Sequence, residues 1–272
     1  MRIMLAKFSM VAAAFAAAIW AGPAPAQSAK EAAQIEAAVA RGRLLYELDV
    51  AGWVSTDRMR ADAPEVLTWP VRGWIVEPDA ATEHSWTVTY YLLPQGEGGP
   101  AVPAYRVHVS KGKATSGEIV PATDRQPLTP IQNRIVQAIE AARKLDLAPC
   151  APARLNVAVV PPASESAPIE VYLLTPQTKE KVFPIGGHYK AVFGSDGRLV
   201  SKRAFSKSCL NMDASQIPPD AKEASLFVTH LLDEVPTEIH VLSAIQIGVP
   251  LIVGTRDKRL WEVTPRGIRK LR

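Results

Sequence analysis

The chain has 272 residues and carries 31 Lys and Arg against 27 Asp and Glu, a formal net charge of +4. Two of these basic residues lie in the apolar amino-terminal segment, so the rest of the chain is close to neutral. So small a charge argues against a nucleic-acid partner, and the length is ample for a buried core in one large domain or two small ones.

The first 26 residues have the layout of a secretion signal. Arg2 and Lys7 precede an uncharged apolar run over 8–21, and the small residues at 24–26 suit a signal peptidase. The run is shorter than the roughly 20 apolar residues that a membrane-spanning helix needs. We therefore predict cleavage before Gln27, a periplasmic or secreted location, and no transmembrane anchor.

A helix is expected over about 30–59, where Gly42 and Gly52 weaken the pattern and suggest a break or bend. A second helix has a clear start signal, with Thr129 as N-cap and Gln132 completing a capping box. Its apolar stripe consists of Ile131, Ile135, Ala138, Ile139 and Ala142.

Each helix is followed by sequences that repeat one another. The segment 90–95 is echoed by 171–177, and 104–107 is echoed by 188–191, with a glycine in the turn after each copy. Alternating apolar and polar residues, as over 86–92, indicate half-buried antiparallel strands. We predict an α+β fold in which a helix followed by a β-meander occurs twice, over 27–125 and 126–212.

The C-terminal segment 213–272 is predicted to be rich in strands and to pack on the second unit. Its residues 220–233 suit either a helix or a strand, with strand preferred. Short strands are expected over 238–247, 250–255, 260–264 and 268–271.

Cys150 and Cys209 are the two cysteines of the chain. An isolated pair in an oxidising compartment favours a disulfide bond. A metal pair or a reactive thiol is the alternative, but the sequence has no CxxC motif.

No common catalytic motif is present in the sequence, and the densest group of titratable residues contains His230, Glu238 and His240. If Glu238 and His240 share a strand face and a hairpin returns His230 to them, the three could bind zinc or act in acid–base catalysis. The alternative is that they are ordinary strand residues beside a solvated turn.

His188 is a weaker candidate. Gly186 and Gly187 precede it and could leave its imidazole accessible at the rim of a ligand site, or they could form a bulge at the start of a strand. The basic stretch 256–272 around Trp261 could contact an anionic surface, but protection of an edge strand is the favoured interpretation.

These features favour an exported, non-catalytic binding or interaction module, with an envelope protein or a small ligand as partner and no cofactor. The alternative is a metal-binding protein or metal-assisted hydrolase centred on His230, Glu238 and His240. The helix-on-sheet layout is also that of cystatin-like domains, a similarity of topology that gives only weak support to a peptidase inhibitor.

Overall fold

The computed structural model describes residues 28–79, 82–94, 99–218 and 224–271. The predicted secretion signal and its cleavage site before Gln27 lie outside the described residues. Helix α1 spans Ala29–Asp62, α2 spans Pro130–Ala142 and α3 spans Glu238–Ile247. Together with three four-stranded sheets they confirm the predicted α+β class.

The first sheet is an antiparallel meander that follows α1 in the chain. Its strands are β1 (Val71–Pro78), β2 (Ser85–Leu92), β3 (Val102–Ser110) and β4 (Lys113–Ile119), in that order. One face of β2 and β3 packs on α1, and the shared core contains Leu45, Leu48, Trp86, Val88, Tyr90, Tyr105 and Val107.

The second sheet follows α2 and has the same order of strands. It consists of β5 (Asn156–Val160), β6 (Ile169–Leu174), β8 (Tyr189–Phe193) and β9 (Leu199–Ala204), and a separate two-stranded sheet pairs β7 (Val182–Pro184) with β10 (Asn211–Asp213). The echoed segments occupy matching places, because 90–92 and 171–174 each lie in the second strand of their sheet.

Helix α2 begins as predicted, since Thr129 caps it through a complete capping box with Gln132. Its apolar stripe packs on the second sheet, and its first-sheet contacts include Tyr91. Tyr91 and Ile75 are therefore fully buried, and the half-buried alternation predicted over 86–92 is wrong at Tyr91. Helix α2 covers them from the outer side.

The C-terminal sheet contains β11 (Leu226–His230), β12 (Leu251–Thr255), β13 (Leu260–Thr264) and β14 (Gly267–Lys270). Strands β11 and β12 are parallel, and α3 makes the crossover between them. The predicted strand over 238–247 is thus wrong, because that segment is α3. The preference for a strand within 220–233 is confirmed for β11, while 219–223 lie outside the described residues.

Helix α3 escaped detection because it is buried on every side. Its residues Ile239, Val241, Leu242 and Ala244 are all buried, so the sequence lacks the periodic alternation of a surface helix. The ends carry ordinary signals, with Thr237 as N-cap and Gly248 in the left-handed conformation at φ +82°.

Helix α1 is continuous, so the predicted break or bend at Gly42 and Gly52 is wrong. A Cβ atom on Gly42 would lie 2.5 Å from the Cβ atom of Val241, and one on Gly52 would lie 2.9 Å from Nε1 of Trp74. The two glycines permit close packing against α3 and against the Trp74 indole. The amino-terminal half of α1 also contributes Ile35 to the core of the C-terminal sheet.

The predicted disulfide between Cys150 and Cys209 is confirmed, with 5.3 Å between the two Cα atoms and a sequence separation of 59. None of the helices in the described part of the chain combines the length and the apolar character that crossing a bilayer requires.

Strand β14 lies at the edge of its sheet, and Arg269 pairs with Glu262 on β13 at 2.9 Å. Protection of this edge by basic residues stays a prediction.

Candidate binding site

The structure brings two of the predicted site residues together. His230 ends β11 and His240 lies in the first turn of α3, with their ring centroids 4.6 Å apart in a T-shaped arrangement. The hairpin that was expected to join them is wrong, since a parallel strand and its crossover helix produce the contact. Both imidazoles are buried.

Each imidazole forms a hydrogen bond with a neighbouring group. Nε2 of His230 lies 2.8 Å from Oδ2 of Asp233, which also accepts a hydrogen bond from Arg203 at 2.7 Å. Although partial burial favours the neutral acid, these two donors hold the pKa of Asp233 down at about 2. The charged carboxylate is thus satisfied within the protein.

His240 is neutral at ordinary pH. Its Nδ1 accepts a hydrogen bond from the backbone N–H of Thr237 at 3.0 Å, so the imidazole completes the cap of α3. Burial, together with the nearby His230, lowers the pKa of His240 to about 3. This arrangement stabilises the start of a helix and leaves little capacity for proton transfer.

Glu238 does not join the two histidines, because its Oε1 accepts a hydrogen bond from the Tyr172 hydroxyl at 2.8 Å. Across the described ranges, no group of three or more His, Cys, Asp and Glu side chains is arranged to hold a metal ion. The predicted cluster of His230, Glu238 and His240 is therefore divided between two hydrogen-bond networks.

His188 is buried rather than accessible at a rim. Its Nδ1 accepts from the Thr175 N–H at 3.2 Å, and its Nε2 lies 3.0 Å from the Pro184 carbonyl oxygen. Burial lowers the pKa of His188, and the bond to Pro184 only partly opposes this. The glycines before it leave room for the disulfide, because a Cβ atom on Gly187 would lie 2.6 Å from Sγ of Cys150.

A different region has the character of a ligand site. A pocket of ≈ 460 Å³ opens where α1, the first sheet, the ends of β5 and β6, the β7 segment and α3 meet. We call it the junction pocket and define it by Tyr46, Asp49, Trp53, Trp74, Phe183 and Gln246. The buried His188 contributes to its wall.

Four aromatic side chains, those of Tyr46, Trp53, Trp74 and Phe183, line the junction pocket. Trp53 is 67% exposed although it is one of the largest apolar side chains of the chain. Trp74 lies over Gly52 of α1, with its ring centroid 5.8 Å from that of Tyr90. Tyr90 is held in turn by Thr56, whose hydroxyl oxygen lies 2.8 Å from the phenolic oxygen. One wall is therefore supported from behind, while the Trp53 indole faces solvent.

Asp49 is the one acidic residue in the lining of the junction pocket. Its Oδ2 accepts a hydrogen bond from Gln246 at 3.2 Å, and in the part of the chain that is described no ion pair joins it to a basic side chain. Burial raises the pKa of Asp49, with the bond from Gln246 opposing the change. The lining residue Arg60 is exposed and pairs with Asp57 at 3.2 Å.

A second groove between α1 and the second sheet is lined by charges that satisfy one another. Arg41 pairs with Glu170 at 3.0 Å, and Asp233 pairs with Arg203. A ligand there would have to displace existing pairs. The junction pocket instead contains a carboxylate that has no basic partner among the described residues, and it is the better candidate of the two.

Sequence analysis missed the junction pocket, although one signal was available. Tyr46, Asp49 and Trp53 follow one another at helical spacings of three and four residues, which places them on one face of α1. An aromatic and acidic stripe on a helix that also covers a sheet is unusual for a solvated surface. The partners from β1, β7 and α3 lie far apart in the sequence.

No protein-family model, no curated protein and no solved structure matches this chain.

Proposed function

We propose that the protein is an exported, non-catalytic binding protein that holds a small molecule in the junction pocket. The observation that carries the proposal is the combination, in one concave site, of the exposed Trp53 indole and partly buried aromatic rings with the Asp49 carboxylate, which pairs with no basic side chain in the described ranges. Pockets that bind small molecules are typically apolar and aromatic with a few placed polar groups.

The exposure of Trp53 supports a binding role. Burying a large aromatic side chain contributes about 1.5–3 kcal/mol, which this tryptophan forgoes in the free protein. A ligand that covers its indole would recover this free energy. Trp and Tyr are common at recognition sites because their rigid rings supply contact area with little loss of conformational freedom.

Binding accounts for the site better than catalysis. His188 uses both ring nitrogens in hydrogen bonds to the backbone, and its pKa is lowered by burial. His230 and His240 are tied to Asp233 and to the cap of α3. A general acid or base must reach a substrate proton, and these imidazoles are held in structural bonds.

Export is part of the proposal. The amino-terminal charge, apolar run and small residues suit a cleaved secretion signal, and the Cys150–Cys209 disulfide suits an oxidising compartment.

The two antiparallel sheets share one strand order, and their echoed segments occupy matching strands. We interpret this as a duplicated helix-and-sheet unit whose copies came to enclose a shared site.

The test is a ligand screen that reads thermal stability and native mass. Purified protein is mixed with a panel of organic cations, saccharides, amino acids and nucleosides. A ligand present at 100 times its Kd stabilises a protein by about 2.7 kcal/mol, a Tm rise of roughly 5–10 °C for a chain of this size. We expect at least one panel member to give such a shift with a one-to-one mass.

Two variants locate the site. Trp53→Ala should weaken the ligand about tenfold or more, because it removes an indole from the pocket. Phe227→Ala removes an aromatic side chain that is 57% exposed on β11, outside the pocket, and should leave binding unchanged. If no panel member binds, or if Trp53→Ala binds as the unaltered protein does, the proposed function is wrong.

A further inference from the structure

We propose that the ligand of the junction pocket is a compact organic cation, an ammonium group whose charge lies between the Asp49 carboxylate and the tryptophan faces. This inference rests on the proposed function and deepens it by assigning the charge and class of the ligand.

The charge balance of the pocket favours a cation. Asp49 is its one acidic lining residue, and the one basic lining residue, Arg60, is exposed and pairs with Asp57 rather than with Asp49. His188 adds no charge, since both of its nitrogens are bonded as in a neutral imidazole. The remaining polar side chains of the lining, such as Gln246 and Thr56, are uncharged.

The described residues leave acceptor positions open on the Asp49 carboxylate. A carboxylate offers about four acceptor positions, and the bond from Gln246 uses one of them. A charge removed from water is costly unless it is paired, and the raised pKa of Asp49 reflects this cost. An ammonium group that entered the pocket would supply the missing positive charge.

The aromatic rings select an organic cation over an inorganic one. Trp53 lies four residues after Asp49 on α1, which places the two side chains side by side on the helix surface. Trp74 lies over the same part of α1, against Gly52. The face of an indole ring attracts ammonium groups and, at the same time, packs against the carbon atoms attached to them.

Choline and its neutral carbon isostere, 3,3-dimethylbutan-1-ol, provide the sharpest test because they differ mainly in charge. Calorimetric titration should show choline binding at least about tenfold more tightly than the isostere. Asp49→Asn should abolish most of that preference, leaving the affinity for the isostere within about twofold. Glu36→Gln removes one exposed negative charge from the same helix and should change neither affinity.

Proton release gives an independent readout. Burial raises the pKa of Asp49, whereas a cation bound beside its carboxylate should lower that pKa and so release a proton over the pH range in which the carboxyl titrates. Titrations in two buffers of different ionisation enthalpy should therefore show proton release with choline, weaker binding as the pH falls, and neither effect in Asp49→Asn.

The outcomes separate this inference from the proposed function. If a neutral saccharide or another uncharged panel member binds through Trp53 while choline does not, the cation assignment is overturned and the pocket remains a binding site. Equal affinity for choline and its isostere would overturn it in the same way. If nothing on the panel binds, both proposals fail.

Discussion

His240 shows how one buried residue can make the stability of the whole protein depend on pH. Its pKa in the folded state is about 3, well below the ordinary 6.5, so the unfolded chain takes up a proton at a higher pH than the folded one. The free energy of unfolding therefore falls as the pH drops from about 6.5 towards 3, by at most about 1.4 kcal/mol per pH unit.

We predict that His240→Gln removes this pH dependence while preserving the cap. Glutamine is a normal third-position partner in a capping box, so its side chain can still accept the Thr237 N–H bond. Urea unfolding of the protein and the variant between pH 7 and pH 4 should show the stability of the protein falling more steeply than that of the variant. Parallel profiles would contradict the assignment. Asp233, whose pKa is held at about 2 in the folded state, lowers stability below about pH 5 in both proteins, so comparison with the variant removes its contribution.

At the scale of secondary structure, the contact between α1 and α3 depends on a residue without a side chain. Alanine normally stabilises a helix interior by up to about 1 kcal/mol relative to glycine. At Gly42 the added Cβ atom would also lie 2.7 Å from the carbonyl oxygen of Glu238, and the helices would have to separate.

We therefore expect Gly42→Ala to lower the free energy of unfolding by about 1–3 kcal/mol, the usual cost of overpacking. Ala33→Gly at an exposed position of the same helix is the control, and should cost about 0.5–1 kcal/mol through helix propensity alone. In chemical denaturation, alanine should thus be favoured at position 33 and glycine at position 42. Stabilisation by Gly42→Ala would show that the two helices are not in close contact.

The helices also show which elements a sequence can predict. Helix α2 has an apolar stripe and a capping box, and both were recognised because the residues between the stripe positions are mostly polar and only partly buried. Helix α3 has caps but is buried all round, so its run of apolar residues resembled a strand. In α1, Gly42 and Gly52 looked like helix breakers because their packing partners lie far along the chain.

At the scale of the molecule, the repeat predicted two helix-and-sheet units but not how they share their helices. The core that contains Leu48 of α1 includes Tyr172 of the second sheet and Leu242 of α3, and α2 covers Tyr91 of the first sheet. The junction pocket arises from this sharing. Only its α1 face, with Asp49 and Trp53, was visible in the sequence.

The disulfide also acts at this scale. It joins the segment before β5 to the segment before β10, and Thr175 accepts a bond from the Cys150 N–H while donating its hydroxyl to the Gly187 carbonyl. The same turn carries His188 in the wall of the junction pocket. The cross-link therefore fixes one side of the proposed site, a role that the spacing of two cysteines could not indicate.

The most direct test of a ligand in the junction pocket is a nitrogen-15 NMR spectrum of the tryptophan indoles, recorded with and without the ligand panel in pools. We predict that the Nε1–H signals of Trp53 and Trp74 shift, while that of Trp261, which is fully buried in the core of the C-terminal sheet, stays in place. Trp86 lines a third groove, together with His84 and Lys111. Shifts confined to Trp86 would contradict the account, as would a spectrum that no pool changes.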